Sequence, residues 1–292
     1  MKLGVALPQN EEMQDPSAAR DFAQAVEGMG FDFLVTADHV VGAEPTNRPE
    51  GWRVNSIYNH KTFVHEPLIL FAYLGAVTSR LNFSTEIIIL PQRQTVLFAK
   101  QAAELDYLTG GRLRVGIGIG WNGLEYESLN EEFSTRGRRI SEQIQLLRAL
   151  WTEEVVDFEG RWHRIDRAGV KPLPIQRPIP IWIGGHAEPV LKRTAALADG
   201  WLPQFDPEAE TSKETVAKLR QLTVEAGRAA SDVGIEGRMV LPQLAQEEWG
   251  RRLEAWNAVG ATQMSVSTSG LTTLKQHLTA LEQFETLASA VS

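Results

Sequence analysis

The sequence predicts an α/β fold in which a parallel sheet closes into a (β/α)8 TIM barrel. Three observations carry this. Short apolar, β-branched runs alternate with helix-period segments from residue 2 to residue 284. Residues 82–122 read as strand, helix, strand and glycine-rich turn, which is one complete βαβ unit. The length of 292 residues accommodates a barrel of about 250 with modest insertions. No stretch has the character of a domain linker, and none is of low complexity, so one domain is expected over residues 1–292.

Residues 2–7 are the first strand. Asp15 is an N-cap before Pro16 at the first helical position. Ala18, Phe22, Ala25, Val26 and Met29 give the helix one apolar face, and Gly30 closes it. Residues 33–36 are the second strand. Residues 37–65, rich in Gly, Pro and Asn, form a long loop on the face where a barrel keeps its chemistry. Glu66 and Pro67 open the second helix, which ends near Ser79. Residues 83–90 are a buried third strand, stopped by Pro91. Phe98, Ala102, Leu105 and Leu108 share a helix face that ends at Gly110 and Gly111, since glycine accepts the left-handed conformation of a C-terminal cap. Residues 113–117 are the fourth strand.

The fourth helix starts near Arg138 and carries Ile140, Ile144, Leu147 and Leu150. After it, residues 155–158 and 162–165 around Glu159 and Gly160 read as an inserted β-hairpin. Residues 171–180 hold four prolines and should be extended. Strands at 181–183, 201–202, 235–240 and 264–266 then alternate with helices at 189–198, at 211–227, through Trp249, Leu253 and Trp256, and through Leu274, Leu278, Leu281 and Phe284.

Apolar residues make up 43% of the chain, ample for a core, and the net charge is −8. That balance argues against a general nucleic-acid or anionic-membrane binder, though not against a local basic pocket. With no cysteine, thiolate catalysis, disulfides and cysteine metal sites are excluded. The first residues enter a strand with no signal peptide, and no apolar run is long enough to span a membrane. We expect a cytoplasmic protein acting on a small molecule, with neither nucleic acid nor membrane as partner.

Asp38 and His39 end the second strand. An Asp-His pair alone is more often a plain hydrogen-bonding pair, but strand C-termini line the site of barrel enzymes, and histidine exchanges protons near neutral pH. Thr85, Glu86 and Ile87 lie inside the third strand, where an unpaired carboxylate in an apolar run is costly to bury. Gly118, Gly120 and Gly123 formally match a dinucleotide fingerprint. The polar residues 124–135, with Glu125, Glu127, Glu131 and Glu132, do not read as the helix it requires. The glycines read instead as room for a flat ring to approach the backbone. Gly184, Gly185 and His186 join a strand to a helix and leave its first N–H groups for phosphate. Arg93, Arg136, Arg138 and Arg139 are candidate partners for that phosphate, although surface ion pairs explain such residues equally well. Trp121, Trp52 and His60 are placed in the substrate pocket. No metal site is predicted, since the histidines lack ligand spacing.

The stretch 82–122, together with residues 31–40, 133–139 and 180–186, resembles the luciferase-like monooxygenase superfamily, and within it the oxidoreductases that use the deazaflavin coenzyme F420. The resemblance covers most of residues 1–202. It implies hydride transfer between F420 and a small organic substrate, with His39 as the acid or base and Asp38 orienting it or the ring. It implies that Asp38, Thr85, Glu86, Ile87, Gly118, Gly120, Asn122, Gly184, Gly185 and His186 contact the cofactor. It also implies a non-proline cis peptide at Glu86-Ile87 that forms a bulge behind the ring, and a homodimer. Glu86 departs from the small residue usual there. The alternatives are an FMN-dependent monooxygenase of the same superfamily, using molecular oxygen, and, from another class, a non-catalytic flavin-binding barrel. A metal-dependent barrel hydrolase built on Asp38 and His39 lacks the further ligands it would need.

Overall fold

Runs such as Phe33–Thr36 and Leu113–Gly118 are apolar at nearly every position because helices cover one side of each strand and the barrel interior the other. The computed structural model describes residues 1–9, 12–46 and 58–291. In chain order the elements are β1 (Lys2–Ala6), α1 (Pro16–Gly28), β2 (Phe33–Thr36), α2 (Pro67–Gly75), β3 (Asn82–Thr85), β4 (Ile88–Ile89), α3 (Thr95–Thr109) and β5 (Leu113–Gly118). Then come α4 (Gly123–Ser128), α5 (Arg136–Thr152), β6 (Val156–Glu159), β7 (Arg164–Ala168), β8 (Ile181–Gly184), α6 (Glu188–Leu197) and β9 (Gly200–Leu202). The chain closes with α7 (Glu210–Glu225), β10 (Gly234–Val240), α8 (Trp249–Ala258), β11 (Gln263–Ser267) and α9 (Leu274–Val291).

The sheet runs β1, β2, β3 with β4, β5, β8, β9, β10 and β11, and β11 pairs back onto β1. Every one of these pairings is parallel. This is the closed (β/α)8 TIM barrel expected, and β6 with β7 forms the expected antiparallel hairpin after α5.

The caps follow the sequence. Asp15 accepts from the Ser17 amide at 2.8 Å, Glu66 accepts from the Ile69 amide at 2.8 Å, and Gly110 caps α3 with φ 72°. The differences are local. The third strand divides at Glu86-Ile87, where the peptide is cis, so β3 pairs with β2 while β4 pairs only with β5. The second hairpin arm starts at Arg164, because His163 turns inward: its Nδ1 meets Glu142 Oε1 at 2.7 Å and its Nε2 meets Thr95 Oγ1 at 2.6 Å. A short helix, α4, occupies residues read as irregular, with Glu125 and Tyr126 buried in it.

The barrel interior is filled partly by a charge. The Arg114 guanidinium lies 4.8 Å from the Phe33 ring centroid and 4.4 Å from that of Trp182. It bonds Ser84 Oγ at 2.9 Å and also Gln263 and Glu236. Two aromatic rings pack against the cation and its N–H groups are hydrogen-bonded, so the charge is buried with its partners in place. Replacing Arg114 by leucine strands the Glu236 carboxyl. We expect a loss of about 3–5 kcal/mol, read from urea unfolding of both proteins.

Candidate active site

Asp38 and His39 follow β2 directly and face different partners. Asp38 is 3% exposed. Its Oδ1 accepts from Arg93 Nη2 at 2.7 Å, and its Oδ2 accepts from the Ile89 amide at 3.1 Å and Arg93 Nε at 3.2 Å. Arg93 Nη1 also pairs with Glu66 Oε1 at 3.0 Å. Burial works against the Arg93 charge, but Asp38 and Glu66 outweigh it and hold the guanidinium above its usual range. Asp38 thus ties the end of β2 to the end of β4. Among the described residues it makes no hydrogen bond to His39, where the resemblance implied that Asp38 orients the histidine or the ring.

Glu125 holds His39 instead. His39 Nδ1 lies 3.2 Å from Glu125 Oε1, which also accepts the Val40 amide at 2.8 Å. A carboxylate oxygen accepts, so the proton sits on Nδ1 and Nε2 is the nitrogen left for chemistry. Tyr58 stacks on the imidazole at 3.8 Å with the planes 17° apart, and Trp121 presents its edge at 6.1 Å. Burial, followed by the charges of Glu125 and Asp38, pushes the Tyr58 hydroxyl up to about 12, so it keeps its proton near neutrality. Sequence reasoning missed Glu125 and Tyr58. In the sequence Glu125 is one acid of a polar run, and nothing local marks it as buried.

Beside this group lies a cavity of about 450 Å³, lined by Glu86, Ile87, Gly120, Trp121, Gly184, Gly185 and His186 among others. Several predicted contact residues therefore meet at one place. Others do not line it. The Thr85 hydroxyl is spent on the Gly116 carbonyl at 2.7 Å. Asn122 is buried, and its Oδ1 caps α4 through the Leu124 amide at 3.2 Å. A Cβ on Gly118 would stand 2.0 Å from Ile87 Cδ1, so the room made by that glycine is taken by the Ile87 side chain rather than left for a ring. His60 is exposed and lies outside the cavity lining, and Trp52 falls outside the described residues.

The glycines expected at a phosphate form the turn into α6. Gly185, at φ 116°, turns the chain into α6, and Trp201 Nε1 donates to its carbonyl at 2.6 Å. Pro189 has no N–H to offer, and Glu188 in the first turn is paired with Lys192 at 3.1 Å and Lys218 at 3.5 Å. Of the candidate arginines, Arg93 serves Asp38 and Glu66, Arg139 serves Glu131 and the Pro91 carbonyl, and Arg136 lies over Phe133 at 3.6 Å. Arg138 is exposed.

The donor set suits a flat heterocycle. Ile87, Ile119, Val190 and Leu202 give the cavity apolar walls, while Glu86, Glu236 and Arg238 supply polar groups at the barrel mouth. Among the described residues, no group of three His, Cys, Asp or Glu could hold a metal ion, and no helix is long and apolar enough to cross a membrane.

A site at the C-terminal ends of the strands, with an apolar-walled cavity near a carboxylate-held histidine, has the placement of a TIM-barrel enzyme's. The family model for luciferase-like monooxygenases matches residues 1–284, and the chain belongs to that family. It is 35% identical to an uncharacterised Mycobacterium tuberculosis protein, covering 75% of this chain and 76% of the relative. It is 28% identical to the F420-dependent glucose-6-phosphate dehydrogenase of Segniliparus rotundus, over 96% of this chain and 78% of that enzyme. It is 30% identical to the FMNH(2)-dependent dimethylsulfone monooxygenase of Pseudomonas fluorescens, over 82% and 64%. The solved structure of monooxygenase RslO1 from Streptomyces bottropensis superposes with a TM-score of 0.78 at 17% identity, covering 99% of both chains. The protein is therefore a luciferase-like oxidoreductase of the flavin- or deazaflavin-dependent kind.

Glu125→Ala leaves the Val40 amide and His39 Nδ1 without their acceptor. We expect a stability loss of about 1–3 kcal/mol in denaturant unfolding, with the barrel otherwise intact by circular dichroism.

Proposed function

We propose that this protein transfers a hydride between coenzyme F420 and a small organic substrate, with proton exchange at His39. The observation that carries the reading is His39 itself, whose side chain is 19% exposed, held through Nδ1 by Glu125 and set beside the cavity-lining Trp121. The relative named for F420 also spans more of this chain than the one named for FMNH(2), 96% against 82%. When bound, the deazaflavin supplies or accepts the hydride. His39 Nε2 gives or takes the accompanying proton, and Glu125 fixes the imidazole so that no reorientation is needed during transfer. Tyr58 and Trp121 flank the ring and exclude water. Ile87 backs the cavity, and Gly184, Gly185 and His186 before α6 line it as well.

The competing reading is an FMN-dependent monooxygenase, favoured by the 30% identity to the dimethylsulfone enzyme. Titrating the purified protein with F420 and with FMN, followed by cofactor fluorescence, separates the two. Saturable F420 binding with weak FMN binding is expected. The reverse preference moves the reading to oxygen-dependent turnover with reduced FMN. His39→Ala should keep coenzyme affinity and lower turnover about 10²–10⁴-fold, and an unchanged rate would remove His39 from the chemistry.

We also infer a homodimer. The mutually packed α2 and α3 expose Ile69, Leu97 and Leu108 at 74%, 54% and 66%, more apolar surface than a pair of barrel helices leaves to water without a partner. A second copy of this chain is the occupant that the resemblance implies. Sedimentation should give about twice the 32.5 kDa chain mass, and Leu108→Glu should shift it toward one.

A further inference from the structure

Two carboxyls face each other at the floor of the barrel mouth. Glu86 comes from the β3–β4 junction and Glu236 from β10, and both line the 450 Å³ cavity. Glu236 is 2% exposed, and the Glu86 side chain is 11% exposed. Glu86 also lines a second cavity of about 230 Å³ with Gln9, Thr36, Ser267 and His277, so its carboxyl stands where the two spaces meet. Among the described residues, Oε1 of each carboxyl has no hydrogen-bond partner.

Two arginines stand near the two carboxyls, but neither is paired closely with Glu86. Arg114 from β5 is bonded to Glu236 and stands 4.0 Å from Glu86 Oε1. Arg238, also from β10, is exposed at the mouth. The other titratable groups on these cavity walls are His186 after β8 and His277 of α9, and His277 Nδ1 is bound to Thr268 Oγ1 at 2.7 Å. Burial first, then the Glu236 charge and a hydrogen bond to it, push the Glu86 carboxyl well above the ordinary carboxylate range, against the opposing pull of Arg238 and Arg114. A buried carboxyl that keeps its proton is a donor, whereas an ionised one only accepts.

We propose that Glu86 recognises the occupant of the cavity by turning its carboxylic O–H from Glu236 to an oxygen or nitrogen acceptor there, while Arg114 holds Glu236 in place. This rests on the cavity being the flavin or deazaflavin site. The chemistry selected is a heterocycle or substrate that presents an unprotonated acceptor edge, such as a ring carbonyl, to the β3–β4 junction. A ligand that offers only donors there would meet Glu86 badly.

The test has two parts. Infrared spectra of the ligand-free protein near neutral pH should contain the C=O band of a protonated carboxyl, and Glu86→Gln should lose it. Its absence from the wild-type spectrum overturns the proposal without any variant. Fluorescence titrations with F420 and FMN then compare wild type, Glu86→Gln and Glu86→Ala. The glutamine retains a neutral N–H donor and should bind within about twofold of wild type, while alanine should weaken binding about fivefold to tenfold. Wild-type affinity should fall as pH rises through the titration of Glu86, and the glutamine variant should show no such fall. Binding by wild type with no effect of either substitution overturns this inference alone. Failure of wild type to bind either coenzyme overturns the assignment of the cavity, and this inference with it. The linkage sign gives a ligand-free check of the pair. A carboxyl whose folded pKa is raised favours the fold below the unfolded value and loses that contribution as pH rises through the folded one, so wild type should lose more thermal stability than Glu86→Gln as pH rises above the ordinary carboxylate range.

Discussion

A closed parallel barrel has to fill its own axis, and here a guanidinium fills part of it. Arg114 packs against the Phe33 and Trp182 rings and is hydrogen-bonded to Ser84, Gln263 and Glu236. The arrangement draws on β2, β3, β5, β8, β10 and β11, so it ties together strands distant in sequence. A hydrophobic side chain would fill the same volume. The charge adds a directional demand, because Glu236 must remain and must stay buried. That demand extends upward into the candidate site, since Glu236 lines the cavity and Glu86 stands beside it. The interior ion pair and the chemistry of the barrel mouth are therefore one electrostatic system, in which a change at Arg114 alters the charge felt by the carboxyls above it.

At the rim a second division of roles appears. Asp38 and His39 are neighbours in sequence, yet Asp38 is bound to Arg93 and the Ile89 amide while His39 is bound to Glu125. The first arrangement is mechanical: a buried carboxylate with an Arg partner and a backbone amide fixes the end of β2 against the segment after β4. The second leaves one ring nitrogen committed and one available. Keeping the two carboxylates apart separates the partner of the histidine from the clamp at Asp38. It also explains why Tyr58 can stack on the imidazole, whose position is set from below by Glu125 and not by the loop that carries the tyrosine.

Much of this fold was legible because it depends on local periodicity. Strand runs, helix faces, the Asp15 cap, the Gly110 stop and the hairpin after α5 all follow from residues close together in sequence. Of the candidate site, position was legible and partnership was not. Glu86, Ile87, Gly120, Trp121, Gly184, Gly185 and His186 do converge on one cavity. The partners are a matter of long range: Arg93 lies 55 residues from Asp38, and Glu125 lies 86 from His39. Burial of Glu125 depends on the short α4 packing it against the end of β2, and a six-residue helix among glutamates leaves too weak an apolar pattern to read.

The glycine-rich segment shows how one pattern admits different physical causes. Gly118, Gly120 and Gly123 match a dinucleotide fingerprint in spacing, and room for a ring is a sensible second reading. The structure gives a third. The space beside Gly118 is filled by Ile87 Cδ1, and Ile87 Cγ2 lies 3.2 Å from where a Cβ of Gly184 would be. Ile87 is thus sunk between two glycine-bearing strand ends, and its side chain forms a wall of the cavity instead of blocking it. If either glycine carried a side chain, Ile87 would be driven toward the cavity and narrow it. The glycines on β5 and β8 therefore serve the residue at the bulge, and the bulge in turn shapes the cavity, a dependence that runs through three strands and leaves only small residues as its trace in the sequence.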